Sequence, residues 1–321
     1  MAVTLGIVGF GIMGERLLRA ALAHDQAVIR PVAVWDPSPA AAARLAEVAP
    51  GLPMLDSPAA VIAACEALYV ASPPSSHLDH AGAAFAAGRA AFLEKPLAAD
   101  LAAARSFVAA AEASGARAAV NFPMASSPAV AQLGAWRAGL GAPRALGIRA
   151  EFATWPRGWQ QGAAGWLAKR AEGGFTREVL SHFLFLTRRQ LGPLQLLERD
   201  ATFPPGDGAE TAVRARLLAG GVPVTVEGRV GGTDRDEANE WRLDGAAGSI
   251  RLRDWSLAER LEADGAFRPA PDALPNERMR PMVLRGQLDK LAALTRGQPQ
   301  DLATLREALE VQEVVEAILG L

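Results

Sequence analysis

The chain has 321 residues, half of them hydrophobic, and a formal net charge of −2. At roughly 150 residues per domain this is enough for about two domains with sizeable cores. The near-neutral charge leaves no electrostatic basis for general binding to nucleic acid or an anionic membrane surface, and the single Cys excludes an internal disulfide or a Cys-based zinc site.

Val3–Val8 is a short apolar run with no basic residues before it, so it reads as a buried strand and not as a signal peptide. A Gly-rich turn at Gly9–Gly14 follows, and a helix is predicted over Ile12–Ala23. Val28–Trp35 is a second strand, ending at Asp36-Pro37; Ala40–Ala49 is helical. Asp56-Ser57-Pro58 supplies a cap and a first-turn Pro for a helix to about Cys65. Strand Ala67–Ala71 stops at Ser72-Pro73-Pro74, helix Leu78–Ala87 ends at Gly88, and Ala90–Leu93 is a strand. Asp100 caps a helix through Ala113, and Ala116–Asn121 is a further strand. Strands alternating with helices predict a doubly wound parallel sheet, an α/β Rossmann domain over 1–121.

The texture changes after residue 122. A helix (Ser127–Gly139), a strand (Ala145–Phe152) and a Trp/Gly-rich loop lead to a helix over Thr176–Leu191. Strand-like runs at Leu194–Phe203, Thr211–Leu218, Pro223–Val230, Asn239–Leu243, Ser249–Leu252 and Ser256–Glu262 are separated by Gly/Asp turns. Arg268–Pro281 reads as an exposed loop, and helices Met279–Arg296 and Leu302–Leu319 close the chain. Residues 122–321 are therefore expected to be an α+β substrate and oligomerisation domain with a large open, mainly antiparallel sheet. The Ala-rich windows carry charged residues and none has transmembrane character, so a cytoplasmic protein is expected.

Gly9-Phe10-Gly11-Ile12-Met13-Gly14 fits G-x-G-x-x-G between a strand and a helix, the setting in which that motif holds the pyrophosphate of a dinucleotide at a helix N-terminus. Asp36 ends the next strand, 22 residues after Gly14. A carboxylate there accepts from the ribose hydroxyls and repels a 2′-phosphate, which favours NAD, with NADP possible; the plainer reading of Asp36 is a turn residue before Pro37. Only three lysines stand beside 30 arginines, and one, Lys95, closes an apolar strand in Glu94-Lys95-Pro96. In an open parallel sheet that is the ligand-binding edge, where a desolvated lysine can exchange protons with a substrate hydroxyl; alone, the segment reads equally as a solvated ion pair. The only tyrosine, Tyr69, has Pro73 four residues on, which excludes a Tyr-x-x-x-Lys proton-transfer pair.

Gly9–Gly14, then Val70–His77, then Glu94-Lys95-Pro96 resemble in order and spacing the glucose–fructose oxidoreductase/inositol dehydrogenase (Gfo/Idh/MocA) family, most specifically in the Glu-Lys-Pro tripeptide. The resemblance implies NAD(P)-dependent hydride transfer at a carbinol or carbonyl carbon of a sugar, polyol or related cyclic hydroxy compound. It implies that Ser72, Pro73, Pro74, His77 and Glu94 line the dinucleotide with the glycine turn, and that Asn121 lies near the nicotinamide. Gly173–His182 resembles the family's glycine-led helix with Asp-x-x-x-His, Glu178 standing in place of the Asp. Lys95 and His182 are then the expected acid–base pair, and Glu178, at i, i+4 from His182, orients the substrate or the imidazole. Phe185 and Leu180 replace an Asp and a Gly usual in the family, which suggests a substrate less polar than a free hexose. Trp155, Arg157, Trp159, Trp166 and Arg177 are candidate substrate contacts, either arginine meeting an anionic group, with loop packing the alternative for the tryptophans. His77 and His80 are spaced i, i+3, but an exposed helix position is preferred for His80 and no metal is expected. Homodimers or homotetramers through the open sheet are expected. An NAD-dependent glycoside hydrolase and a non-catalytic dinucleotide-binding sensor are the alternatives.

Overall fold

The computed structural model describes all 321 residues, the side chains of residues 161–164 excepted. The chain forms two compact units: Met1–Ser126 with Pro281–Leu309, and Ser127–Arg280 with Glu310–Leu321.

The first unit holds a five-stranded parallel sheet in the order β2-β1-β3-β4-β5, from β1 (Val3–Val8), β2 (Ile29–Trp35), β3 (Ala67–Val70), β4 (Ala90–Leu93) and β5 (Ala118–Val120). The inner strands β1, β3 and β4 are buried on both faces, as continuous apolar runs require. Helices α1 (Ile12–Leu22), α2 (Pro39–Val48), α3 (Pro58–Ala64), α4 (His77–Ala86) and α5 (Leu101–Ala113) make the connections. The caps act as the sequence predicts: Ser57 Oγ accepts from the Ala60 N–H at 3.2 Å and the Asp100 carboxylate from the Ala103 N–H at 2.8 Å. The C-terminal region supplies part of this core, which a boundary at residue 121 does not anticipate. Leu284, Leu288 and Leu291 pack in one cluster with Leu5, Ile29 and Phe92.

The second unit opens with α6 (Pro128–Arg137), capped by Ser127, and carries an eight-stranded sheet. Its strands are β6 (Pro143–Phe152), β7 (Leu194–Thr202), β8 (Ala212–Ala219), β9 (Val222–Val230), β10 (Glu237–Gly245), β11 (Gly248–Arg253), β12 (Leu257–Leu261) and β13 (Phe267–Pro269), in the order β13-β12-β11-β10-β6-β9-β8-β7. All neighbours are antiparallel except β6 and β9, which run parallel. A single helical turn, α7 (Ala164–Leu167), precedes α8 (Ser181–Leu191). α8 covers the inner face, where the Trp241 indole N–H donates to Thr187 Oγ1 at 2.9 Å. The region 268–281 is not all loop: it contains the end of β13 and the start of α9 (Asn276–Thr295), and α10 (Leu305–Leu319) closes the chain.

The outer face of this sheet carries paired charges. Arg229 pairs with Glu151 at 2.9 Å, Arg251 with Glu240 at 2.8 Å and Arg149 with Glu227 at 3.6 Å. Among the described residues no helix is long and apolar enough to cross a membrane.

Candidate active site

Parallel pairing places the C-terminal ends of β1 to β5 on one edge of the first sheet, so the glycine turn, Asp36, Ser72–Pro74, Lys95 and Asn121 share that edge. The three glycines are needed for different reasons. Gly9 has φ +92°, and a Cβ on it would lie 2.5 Å from the Ala71–Ser72 backbone; on Gly14 it would lie 2.1 Å from the Gly9 carbonyl oxygen. Both are packing requirements. Gly11 is exposed, its backbone is extended (φ −78°, ψ −160°), and a Cβ there would meet nothing within 4 Å. Nothing inside the protein demands glycine at Gly11, whereas a pyrophosphate approaching the α1 N-terminus does. The turn therefore fits a dinucleotide. Ile12 beside it is 40% exposed and Met13 half-buried, while Phe10 is buried. The Asp36 carboxylate accepts from the Phe10 N–H at 2.7 Å and the Ser38 N–H at 2.8 Å. It thus anchors the glycine turn, and each oxygen keeps capacity for a second donor such as a ribose hydroxyl.

Lys95 is half-buried at the end of β4, and its peptide bond to Pro96 is cis. Glu94 and Asn121, expected to line the cofactor, are buried instead and hold one another. Glu94 Oε1 accepts from the Tyr69 hydroxyl and from Asn121 Nδ2 at 2.6 Å, and Gln287 Nε2 on α9 donates to Asn121 Oδ1. The network locks the ends of β3, β4 and β5 on which Lys95 stands. Burial, then the Glu94 charge, holds the Tyr69 hydroxyl well above its usual range. It remains a neutral donor, and the one tyrosine serves positioning.

His77 likewise does not present a face to a ligand: it is fully buried, with Nδ1 3.0 Å from the Pro96 carbonyl oxygen and Nε2 2.8 Å from that of Ser72. It ties the loop after β3 to the loop after β4. Burial lowers its pKa and the carbonyls partly oppose this. In the first loop Ser72 is half-buried, Pro73 exposed and Pro74 buried. His80 packs edge-on against Trp35, ring centroids 6.3 Å apart.

In the second unit, Thr176–Leu180 is a π-helical turn running directly into α8. Such turns cluster at functional sites, and the wider i→i+5 bonding means that the regular-helix relation of Glu178 to His182 does not carry over unchanged. Glu178 is half-buried and His182 is 8% exposed. Gly174 stands two residues before the turn, and its φ of +101° and close approach to Glu210 leave no room for a side chain. Glu210 is 1% exposed and accepts from the Thr176 N–H at 2.7 Å, capping the segment; burial raises its pKa. The sequence reading passes over Glu210, because the residue lies 34 positions from the N–H it caps.

Residues 3–122 match the family described as "Oxidoreductase family, NAD-binding Rossmann fold" (Gfo/Idh/MocA). The match covers 120 of the 321 residues and lies within the first unit. Over 121 residues, 36% of this chain and 35% of the other protein, the sequence is 39% identical to an inositol 2-dehydrogenase of Cereibacter sphaeroides. The match thus spans about a third of that relative's length. The fold resembles an oxidoreductase from Thermotoga maritima (TM-score 0.83, 18% identity, 99% of this chain and 96% of that one). It also resembles an oxidoreductase from Agrobacterium radiobacter in complex with NAD+, L-tartaric acid and magnesium (TM-score 0.81, 18% identity, 99% and 95%).

The two arginines read from the sequence as candidate anion contacts are paired inside the second unit. Arg177 is buried, bidentate to Glu316 at 2.7 and 2.6 Å, and donates to the carbonyls of Arg170 and Gly173. Its charge is spent inside the unit and not on a substrate. Arg157 is buried against Glu237 and Gln160, its guanidinium 4.8 Å from the Trp159 ring centroid and 5.6 Å from that of Trp155. Trp159 and Trp166 are 48% and 38% exposed, while the Trp155 indole donates to the Leu167 carbonyl at 3.0 Å. Phe185 and Leu180 are core residues, 1% and 0% exposed, so the apolar character of α8 reflects sheet packing and carries no information on substrate polarity. The sequence reading also misses Trp255, whose ring centroid lies 5.4 Å from that of His182 in an edge-on contact.

Proposed function

We propose that the protein is an NAD-dependent dehydrogenase or reductase acting on a CH–OH group of a sugar, polyol or related cyclic hydroxy compound. The observation that carries the reading is the placement of Lys95: a titratable lysine on the same sheet edge as a glycine turn whose middle glycine has no internal reason to be glycine. The cofactor, when bound, supplies the hydride chemistry. The chain's own residues do the rest. The backbone of Gly9–Gly14 and the α1 N-terminus receive the pyrophosphate, and Asp36 favours an unphosphorylated ribose, hence NAD over NADP. Lys95 takes and returns the hydroxyl proton at Nζ, a lysine suiting this where an always-charged arginine does not. His182 hydrogen-bonds and orients the reacting oxygen, and Glu178 orients the substrate or the imidazole. The likeness to an inositol 2-dehydrogenase, confined to the cofactor domain, makes cyclitols the first substrates to try. Trp159 and Trp166 remain the candidate pocket aromatics on exposure.

The test is a panel of inositols, hexoses and less hydroxylated cyclic alcohols, followed by NADH and NADPH absorbance in parallel. Oxidation of a cyclic alcohol with NAD supports the reading. Tight NADH binding with no turnover across alcohols and ketones favours a sensor, and glycoside cleavage with catalytic NAD favours a hydrolase. The reading includes a homodimer or homotetramer through the outer face of the eight-stranded sheet. Given the Arg/Glu rows there, such an assembly would weaken with salt, which sedimentation at low and high ionic strength measures.

A further inference from the structure

We infer that Trp255 is a positioning residue for His182, held against the imidazole by a strained turn that Glu237 and Asn239 pin in place. The inference rests on reading His182 as the residue that orients the reacting oxygen. Asp254 and Trp255 have φ of +49° and +70°, and no other non-glycine residue described is in the positive-φ region. Asp tolerates that region; a bulky aromatic rarely enters it, and such outliers persist only where the surroundings over-determine them. Here they do. The Asp254 N–H donates to the Asn239 carbonyl at 3.1 Å, and the Trp255 N–H to Asn239 Oδ1 at 3.0 Å. The indole N–H donates to Glu237 Oε1, which also accepts from Asn239 Nδ2 at 2.6 Å, while Arg157 pairs with Oε2. Arg253 and Arg235 hold the Asp254 carboxylate at 3.0 and 3.2 Å.

The outcome of all these bonds is the place of one ring. The indole stands edge-on to His182 (centroids 5.4 Å apart, 78° between planes) and tilted against Phe183 (5.1 Å, 32°). A half-buried residue that merely filled space would need neither a left-handed backbone nor a hydrogen-bonded indole. The geometry is that of a stop limiting the imidazole to one orientation. It also links the Trp155–Trp159 loop, through Arg157 and Glu237, to the histidine.

The experiment is the imidazole ¹H–¹³C spectrum of Trp255→Ala and Trp255→Phe proteins, with the His182 resonance assigned by its loss in His182→Asn. Expected is a marked shift of the His182 resonance in Trp255→Ala, from loss of the adjacent ring current, with broadening as the imidazole samples further rotamers. Trp255→Phe, which keeps an aromatic ring, restores most of both, and NADH affinity is unchanged in each. A His182 resonance unmoved in folded Trp255→Ala overturns the positioning role; so does a Trp255→Phe spectrum no closer to wild type than that of Trp255→Ala. In the alcohol panel, a kcat for Trp255→Ala reduced about tenfold (~1.4 kcal/mol), recovered in Trp255→Phe, is the expected kinetic counterpart. Undiminished turnover by His182→Asn overturns the functional reading of His182, while the spectra still decide whether Trp255 positions the ring.

Discussion

Replacing each glycine of the turn by alanine separates binding from folding. At Gly11 the backbone is one any L-residue adopts and a methyl meets nothing within 4 Å. Gly11→Ala should therefore change stability by no more than about 0.5 kcal/mol, or raise it by about 0.4–1 kcal/mol through the unfolded chain. The same methyl stands where the dinucleotide backbone must approach. Losing one charge-assisted hydrogen bond costs about 1.5–3 kcal/mol, and at about 1.4 kcal/mol per decade NADH binding weakens roughly 10- to 150-fold. Gly14→Ala puts the new carbon 2.1 Å from the Gly9 carbonyl oxygen, so α1 must move off the sheet; overpacking of this kind costs about 1–3 kcal/mol or more. Gly9→Ala combines a 2.5 Å backbone clash with φ +92° and should be worse. Thermal melting and a calorimetric NADH titration read the two effects on the same preparations. A Gly11→Ala protein that melts like wild type and binds NADH as tightly refutes the placement of the dinucleotide; one that unfolds refutes the claim that Gly11 serves a ligand.

Further outcomes follow from the buried polar groups. Burial raises the Glu210 pKa above 4.5, so its protonated form is favoured in the fold; that contribution is full below about pH 4.5 and is lost as pH rises through the folded value. Glu210→Gln keeps the acceptor for the Thr176 N–H and should match or exceed wild-type stability near neutral pH, while Glu210→Ala should lose about 1 kcal/mol or more with the cap; thermal melts of both check this. His77 has the opposite sign: its pKa is lowered by burial, so stability is undiminished above about pH 6.5 and falls as acid protonates the unfolded chain first. Melts at about pH 7.5 and about pH 5.5 should show a steeper acid loss in wild type than in a folded His77→Asn protein. Tyr69→Phe removes a donor from the buried Glu94 carboxylate and should destabilise by about 1–3 kcal/mol, read by denaturant midpoint.

The parallel sheet, its helices and their caps were legible because each signal is local: a buried run, a glycine turn, a Ser or Asp before the first helical turn. The strands of the second sheet were legible for the same reason, but their order was not. Parallel pairing of β6 with β9 joins residues about eighty positions apart, as Ile148 with Val226, and leaves no mark in either strand. The return of Leu284, Leu288 and Leu291 to the first core is likewise invisible to local pattern, since an amphipathic helix does not say which core it fills. At the site, Lys95, His182 and the glycines stood out by motif. Arg157 and Arg177 misled because a positive charge in a candidate pocket region reads the same whether it meets a ligand or a glutamate 80 or 139 residues away. Tyr69, Glu210 and Trp255 were missed for that reason too: each acts through a partner distant in sequence.

The central claim is that Lys95 handles the substrate proton beside bound NAD. NADH formation by Lys95→Ala across the alcohol panel, with NADH affinity measured on the same folded protein, tests it most directly. Near wild-type NADH affinity and turnover reduced at least about 100-fold, the usual lower bound for a lost general acid–base, are expected. A Lys95→Ala protein that binds NADH and turns over at the full rate would contradict it.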